Sequence, residues 1–279
     1  MCTVCGCDHG EAKVEGKALD RGEHDHAHSH AHTHEHGADG ALVFDPTAGE
    51  APAGSGPATR MVEIERNILS KNDALAEVNR RRLQAMGVTT LNLMSSPGSG
   101  KTTLLVETIK ALSGRTPLAV IEGDQQTSND AARIRATGVS AVQVNTGKGC
   151  HLDAEMVSAA LDHLTLPRGG ILFIENVGNL VCPAAFDLGE TRRVVLASVT
   201  EGEDKPLKYP EMFATSDAMV VSKADLLPHL AFDVDALIAN ARNVQPGLDV
   251  LITSATGEPG LGAWLDWVAG LTHRTAAAE

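Results

Sequence analysis

The chain lacks a basic surplus. Across 279 residues, 23 Lys and Arg stand against 36 Asp and Glu, for a formal net charge of -13 at pH 7. Affinity for nucleic acid rests largely on cations that displace counterions from phosphates, so this balance argues against general nucleic-acid binding; a single nucleotide held by a local loop is still allowed. Also missing is any apolar run near the roughly 20 residues of a membrane-spanning helix, and the opening stretch has neither a basic n-region nor an apolar h-region. A cytoplasmic protein without membrane contact is expected. Nor is there a disulfide framework: the cysteines number five, three of them within the first seven residues. In a reducing compartment, metal ligation is the better reading of such a cluster. The chain has no internal repeat.

What is present begins at the N-terminus. Met-Cys-Thr-Val-Cys-Gly-Cys brings Cys2, Cys5 and Cys7 together, and eight of the twelve histidines lie within the first 36 residues. Seven of them, His24, His26, His28, His30, His32, His34 and His36, occupy every second position. Thiolates and imidazoles are ligands for transition metals. Three thiolates and the terminal amine, crowded into seven residues, suit square-planar Ni²⁺ better than tetrahedral Zn²⁺, although zinc would compete. A redox Cys-x-x-Cys is the rival, and it lacks a thioredoxin-like helix context. The histidine tract offers several weak, interchangeable sites suited to buffering, or it is a solvated linker. Residues 1–60 carry ten acidic against four basic side chains and no helical or strand periodicity. They cannot bury enough apolar surface to fold alone, and are expected to be disordered without metal.

Residues 61–87 read as a helical segment, in which Ile64, Ile68, Leu75, Val78, Leu83 and Met86 recur at helical spacing before Gly87. It is one long helix, or two broken near Ser70–Asp73. From 88 to 273 the pattern alternates. Apolar, β-branched runs at 89–95, 118–122, 142–145, 171–176, 194–199, 218–222 and 250–253 are interleaved with amphipathic stretches at 101–112, 128–137, 151–164, 234–244 and 261–271. Strands buried on both faces and separated by helices specify an α/β domain with a doubly wound, mainly parallel sheet.

Between the first run and its helix lies Ser95-Ser96-Pro97-Gly98-Ser99-Gly100-Lys101-Thr102-Thr103. Strand, glycine turn and helix are the context a P-loop requires: backbone N–H groups wrap phosphates, Lys101 reaches the β- and γ-phosphates, and the Thr102 hydroxyl ligates Mg²⁺. Ser95 replaces the consensus glycine. The apolar strand Ile171-Leu172-Phe173-Ile174 ends in Glu175, a Walker B arrangement, and Glu175-Asn176-Val177-Gly178 is similar to the Asp-x-x-Gly switch of GTPases. Asp124, at another strand end, is the second candidate for Mg²⁺ or for orienting the attacking water.

The base is read further on. Ser222-Lys223-Ala224-Asp225 occupies the place of the GTPase Asn-Lys-x-Asp element, where the aspartate accepts from the guanine N1–H and exocyclic amine, a donor pair that adenine lacks. Ser222 departs from Asn. Thr253-Ser254-Ala255-Thr256 matches the Ser-Ala element of the same class, so GTP is favoured over ATP. Inside the domain, Cys150-His151 precedes a helix and Cys182-Pro183 follows the Glu175 switch, so the three form a candidate metal site beside nucleotide-responsive loops. For either cysteine alone, a buried inert thiol is the common reading.

Taken together, these residues closely resemble the hydrogenase nickel-insertion GTPases, the HypB family. The resemblance runs through most of 61–271 by way of Ser-Ser-Pro-Gly-Ser-Gly-Lys-Thr-Thr, Glu-Gly-Asp-Gln-Gln-Thr, Asn-Thr-Gly-Lys-Gly-Cys-His-Leu, Phe-Ile-Glu-Asn-Val-Gly-Asn-Leu-Val-Cys-Pro and Thr-Glu-Gly-Glu-Asp-Lys-Pro-Leu-Lys-Tyr-Pro, and includes 1–7. It implies a P-loop NTPase of the SIMIBI type that hydrolyses GTP slowly, as a switch. It also implies nickel at Cys2, Cys5 and Cys7, and a second nickel or zinc site at Cys150, His151 and Cys182 near the interface of a homodimer that forms with GTP and metal. Implied partners are a nickel/zinc protein of the HypA family and the [NiFe]-hydrogenase large-subunit precursor. Urease nickel GTPases share the P-loop class, but carry Cys-Pro-His where this chain has Gly-Cys-His-Leu. Two other classes compete: a nickel store whose nucleotide domain is incidental, and a P-loop small-molecule kinase. Asp225 and the cysteine clusters speak against both.

Overall fold

A computed structural model describes residues 13–15, 17–18, 57–124, 129–166 and 168–276. Cys2, Cys5, Cys7 and the histidines from His24 to His36 lie outside the described residues, as does most of the segment 1–60 expected to be disordered. In chain order the described elements open with two short strands, β1 (Lys13–Val14) and β2 (Lys17–Ala18), and a long helix, α1 (Pro57–Gln84). There follow β3 (Thr89–Ser95), α2 (Lys101–Leu112), β4 (Leu118–Asp124), α3 (Asn129–Arg135), β5 (Ser140–Asn145), α4 (Ala154–His163) and β6 (Ile171–Glu175). After a 3-10 turn at Cys182–Ala185 come β7 (Arg192–Ser198), the short helices α5 (Lys205–Lys208) and α6 (Pro210–Ala214), and β8 (Ala218–Ser222). A second 3-10 turn, Ala224–His229, leads to α7 (Val234–Val244), β9 (Asp249–Ile252) and α8 (Gly262–Ala276).

All the described strands join one sheet in the order β2-β1-β5-β4-β6-β3-β7-β8-β9. The strands from β3 onward pair in parallel, as their continuous apolar runs require of a sheet covered on both faces. Alternate residues take opposite faces. Leu91, Leu93, Phe173, Leu196 and Val220 pack with Leu105 and Ile109 of α2 and Trp264 and Val268 of α8. On the other face, Ile121, Leu172 and Ile174 meet Val157 and Leu161 of α4, while Val195 and Val221 meet Phe213 of α6 and Leu237 of α7. No helix among the described residues is long and apolar enough to cross a membrane.

Two features differ from the sequence reading. Within residues 1–60, β1 and β2 form an antiparallel hairpin that adds to the open edge of β5: Lys13 pairs with Asn145 and Val14 with Val144. Strands of two residues carry no readable alternation; the edge of β5 and burial of Val14 in the core position them. The other feature is the face of α1, a single unbroken helix that begins at Pro57. Ile64, Ile68 and Val78 are exposed, whereas Asn72, Ala76, Asn79 and Leu83 are buried at helical spacing. The asparagines are held there by distant backbone: Asn79 Nδ2 donates to the carbonyls of Ala154 at 2.8 Å and Leu188 at 3.2 Å, and Asn72 Nδ2 to that of Asp187 at 2.8 Å. A satisfied amide tolerates burial that an unpartnered one would not.

Candidate nucleotide site and metal centre

In an open parallel sheet, ligands bind beyond the carboxyl ends of the strands, and the loops that leave β3, β4, β6 and β8 converge there. They enclose a cavity of about 520 Å³ bordered by residues 95–103, with Asp124, Glu175, Gly178 and Lys223 on its walls. The phosphate-loop residues Pro97, Gly98, Ser99, Gly100, Lys101, Thr102 and Thr103 therefore share one site with both carboxylates expected from the sequence. Gly98 and Gly100 take φ of 75° and 96°, a conformation that side chains disfavour, and so turn the loop into the N-terminus of α2. Thr102 Oγ1 donates to Glu175 Oε1 at 2.6 Å, and Lys101 Nζ lies 3.6 Å from the same oxygen. Lys223 Nζ donates to the Gly98 carbonyl at 2.7 Å.

A further residue belongs to this site that the sequence reading passed over. Glu122 lies two positions before Asp124, borders the cavity and is 2% exposed. Burial first, and then the charges of Glu175, Asp124 and Asp130, push its carboxyl up to about 8. Burial likewise raises Glu175, against the opposing pull of Lys101 and the Thr102 hydroxyl. One buried oxygen of each, Glu122 Oε2 and Glu175 Oε2, has no hydrogen-bond partner among the described residues. Orphaned carboxylate oxygens beside a threonine hydroxyl are a hard, oxygen-only donor set, and they fit a Mg²⁺ ion. The available signal was a carboxylate inside an otherwise apolar parallel strand.

Asp225, Ser254 and Ala255 do not border this cavity. Ser254 Oγ donates to Asp225 Oδ1 at 2.5 Å and accepts from the N–H groups of Thr256 and Gly257, so the two predicted base-reading elements are locked together. Ser222 faces the phosphate loop instead, and its hydroxyl donates to the Ser99 carbonyl at 2.7 Å.

The internal thiols and imidazole also meet. The ligand atoms of Cys150, His151 and Cys182 all lie within 4.8 Å of one another. The loop after β5 is shaped by its own side chains, with Asn145 Oδ1 accepting from Gly147 N at 2.8 Å and Thr146 Oγ1 donating to the Gly149 carbonyl at 2.7 Å. Asp153 then starts α4 by accepting from Met156 N at 2.8 Å, which stops the loop just after the Cys-His pair. His151 is buried with its ring 4.0 Å from that of Phe186, and burial lowers its imidazole to about 4. It is therefore neutral at pH 7, with a lone pair to offer. Two sulfurs and a neutral imidazole are a donor set for nickel or zinc rather than magnesium.

The family model described as "CobW/HypB/UreG, nucleotide-binding domain" matches residues 89–252. A hydrogenase maturation factor HypB of Azotobacter chroococcum mcd 1 is 58% identical over 96% of this chain and 92% of its own. The HypB of Escherichia coli (strain K12) is 51% identical over 96% of this chain and 98% of its own. Among solved structures, HypB from Helicobacter pylori in complex with nickel is 40% identical, with a TM-score of 0.70 over 73% of this chain and 96% of that one. HypB from Archaeoglobus fulgidus is 37% identical, with a TM-score of 0.67 over 73% and 99%. With a phosphate-loop cavity and a thiol–imidazole cluster in a fold shared at this level of identity, the chain belongs to the HypB hydrogenase maturation factors of the CobW/HypB/UreG family.

Proposed function

We propose that the protein is a GTPase that carries Ni²⁺ as cargo for [NiFe]-hydrogenase maturation, with nucleotide state controlling the metal held at Cys150, His151 and Cys182. The observation that carries this reading is the position of the two sites. Glu175 lies in the phosphate cavity, and the Asn176 amide that follows it accepts from Leu152 N, next to His151. The nickel complex of the Helicobacter pylori relative supports the choice of metal.

Lys101 and the backbone N–H groups of the phosphate loop hold the β- and γ-phosphates, and Asp225, fixed by Ser254, accepts from the guanine edge. A Mg²⁺ ion held there would supply neutralisation of the charge that develops on the phosphates. Thr102, Glu175, Asp124 and Glu122 would hold it through oxygen, and Asp124 or Glu175 orients the attacking water. Hydrolysis is slow, as a switch, and these groups act on it mostly by positioning and charge neutralisation. Cys2, Cys5 and Cys7 collect Ni²⁺, or Zn²⁺ in competition, and the histidines from His24 to His36 buffer it. The working form is a homodimer that assembles with GTP and metal, and that meets a HypA-family protein and the hydrogenase large-subunit precursor.

The test is phosphate release from GTP and from ATP, together with Ni²⁺ stoichiometry, on the full chain and on Lys101→Ala and Cys150→Ala variants. The expected result is guanine-selective turnover lost in Lys101→Ala, and one Ni²⁺ fewer per chain in Cys150→Ala. Wild-type turnover in Lys101→Ala, or full nickel stoichiometry in Cys150→Ala, overturns the proposal.

A further inference from the structure

Resting on that reading of the two sites, we infer that a chain of side chains, Asn176–Asn92–Glu190–Arg193, buried up to Glu190 and half-buried at Arg193, makes the geometry of the Cys150, His151 and Cys182 cluster depend on what occupies the phosphate cavity. Asn92, Glu190 and Arg193 are its positioning residues. None of them borders the phosphate cavity or belongs to the metal cluster.

The chain starts next to Glu175. Asn176 Oδ1 accepts from Leu152 N at 3.0 Å, holding the backbone that follows Cys150 and His151, and Asn176 Nδ2 donates to Asn92 Oδ1 at 3.4 Å. Asn92 sits inside β3, fully buried, and its Nδ2 donates to Glu190 Oε1 at 3.2 Å. That oxygen also accepts from Arg193 Nε at 2.7 Å, while Glu190 Oε2 accepts from Leu188 N at 2.7 Å. The guanidinium then grips the other half of the metal centre. Arg193 Nη1 donates to the Ala184 carbonyl and Nη2 to the Phe186 carbonyl, each at 2.9 Å, across the turn that begins at Cys182. One end of the relay therefore holds the Cys150–His151 side, the other holds the Cys182 side, and the Phe186 ring closes the loop against His151.

The driver is at the Asn176 end. With Thr102 Oγ1 donating directly to Glu175 Oε1 at 2.6 Å, a cation arriving at the phosphates competes for that hydroxyl and carboxylate, and any backbone displacement at Glu175 passes to Asn176, the next residue. A second contact points the same way. The Leu152 side chain lies over Gly123, between Glu122 and Asp124, so closely that a Cβ there would stand 2.7 Å from Leu152 Cγ. Buried polar networks hold one geometry when every member is partnered, and leaving one member unpartnered carries the desolvation penalty of that group. The relay thus favours concerted rearrangement over local slack.

The experiment uses the full chain carrying Cys2→Ser, Cys5→Ser and Cys7→Ser, with Co²⁺ as probe, because its thiolate charge-transfer band then reports Cys150 and Cys182 alone. Co²⁺ affinity is measured with GDP and with a non-hydrolysable GTP analogue, for the parent and for Arg193→Lys and Asn92→Ala added singly. Arg193→Lys keeps a cation beside Glu190 and removes the double grip on Ala184 and Phe186. Coupling between sites is typically worth about 5- to 150-fold in affinity, and a ratio in that range is expected for the parent, falling to within about twofold of unity in the variants. Co²⁺ binding without nucleotide and analogue binding without metal are measured beside it: a merely structural loss weakens both nucleotide states alike and leaves the ratio standing, whereas loss of the relay removes the ratio itself. The parent's ratio retained in either folded variant, or a ratio of unity in the parent itself, overturns the relay. Absence of any thiolate band or of any guanine-nucleotide binding in the parent instead overturns the reading of the sites on which the relay rests.

Discussion

Ser222 Oγ donates to the carbonyl of Ser99 at 2.7 Å, joining the turn proposed to read the base to the phosphate loop through the one residue of Ser222-Lys223-Ala224-Asp225 that departs from the GTPase pattern. A hydroxyl is long enough here because β8 ends close under the loop. Replacing it with alanine leaves a buried carbonyl without its donor, a cost of about 1–3 kcal/mol. For Ser222→Ala, guanine-nucleotide affinity measured by fluorescent-nucleotide titration is expected to drop roughly tenfold, at about 1.4 kcal/mol per decade. An unchanged dissociation constant would mean that the link contributes nothing to nucleotide binding.

Asp225 is held by Ser254, with 2.5 Å between Oγ and Oδ1. An amide at this position would donate where the carboxylate accepts, and xanthine offers a carbonyl where guanine has its amine. Asp225→Asn should therefore bind GTP at least about tenfold more weakly and prefer xanthosine triphosphate, since removing one partner of a charged hydrogen bond costs about 1.5–3 kcal/mol. Competition binding with the two nucleotides decides the matter; retained preference for GTP would remove Asp225 from base recognition.

Glu122 is 2% exposed, with Oε2 lacking a partner among the described residues. Glu122→Gln keeps the shape and removes the carboxyl that burial disfavours. The nucleotide-free variant is expected to melt higher than the wild type, at about 2–4 °C per kcal/mol gained for a domain of this size. In the same variant the Mg²⁺-dependent gain in GTP affinity should shrink. Calorimetric melting paired with nucleotide titration at varied Mg²⁺ checks both; a lower melting temperature with undiminished Mg²⁺ dependence would show that Glu122 is structural.

The pair Arg80–Asp187 ties α1 to the segment between Cys182 and β7, with Nη2 2.6 Å from Oδ2 and 2.8 Å from Oδ1. Burial works against the Asp187 charge, but the Arg80 guanidinium and the Gly189 N–H outweigh it and lower the carboxyl below its ordinary value. A carboxyl lowered by folding adds stability above its unfolded pKa of about 3.9, and that contribution is lost as pH falls through the lower folded value. Wild type should therefore lose more stability between about pH 5 and pH 2 than Asp187→Asn does. Urea melts across that range measure the difference, and parallel curves would exclude the pair as a source of acid sensitivity.

The sequence made the ligand-facing end of the sheet legible, because its constraints are local: glycines turning at Gly98 and Gly100, a lysine and threonine opening α2, a carboxylate ending β6. The inward face of α1 was not legible. Its apolar stripe at Ile64, Ile68 and Val78 points to solvent, and the buried stripe contains Asn72 and Asn79, whose burial is intelligible only with the carbonyls of Ala154, Asp187 and Leu188 in place, 75 or more positions away. Asn92 and Glu190 escaped for the same reason. A polar residue inside an apolar run looks like an exception until its distant partner is known.

Glu122 has one more consequence. With the buried Glu122 Oε2 in its wall lacking a partner among the described residues, the cavity is a costly place to keep closed, and local opening concentrates where closure is least favourable. Occupancy stabilises the folded form by mass action, so the empty protein is the more vulnerable to proteolysis. Cellular lifetime is then expected to follow occupancy, with loaded copies outlasting unloaded ones.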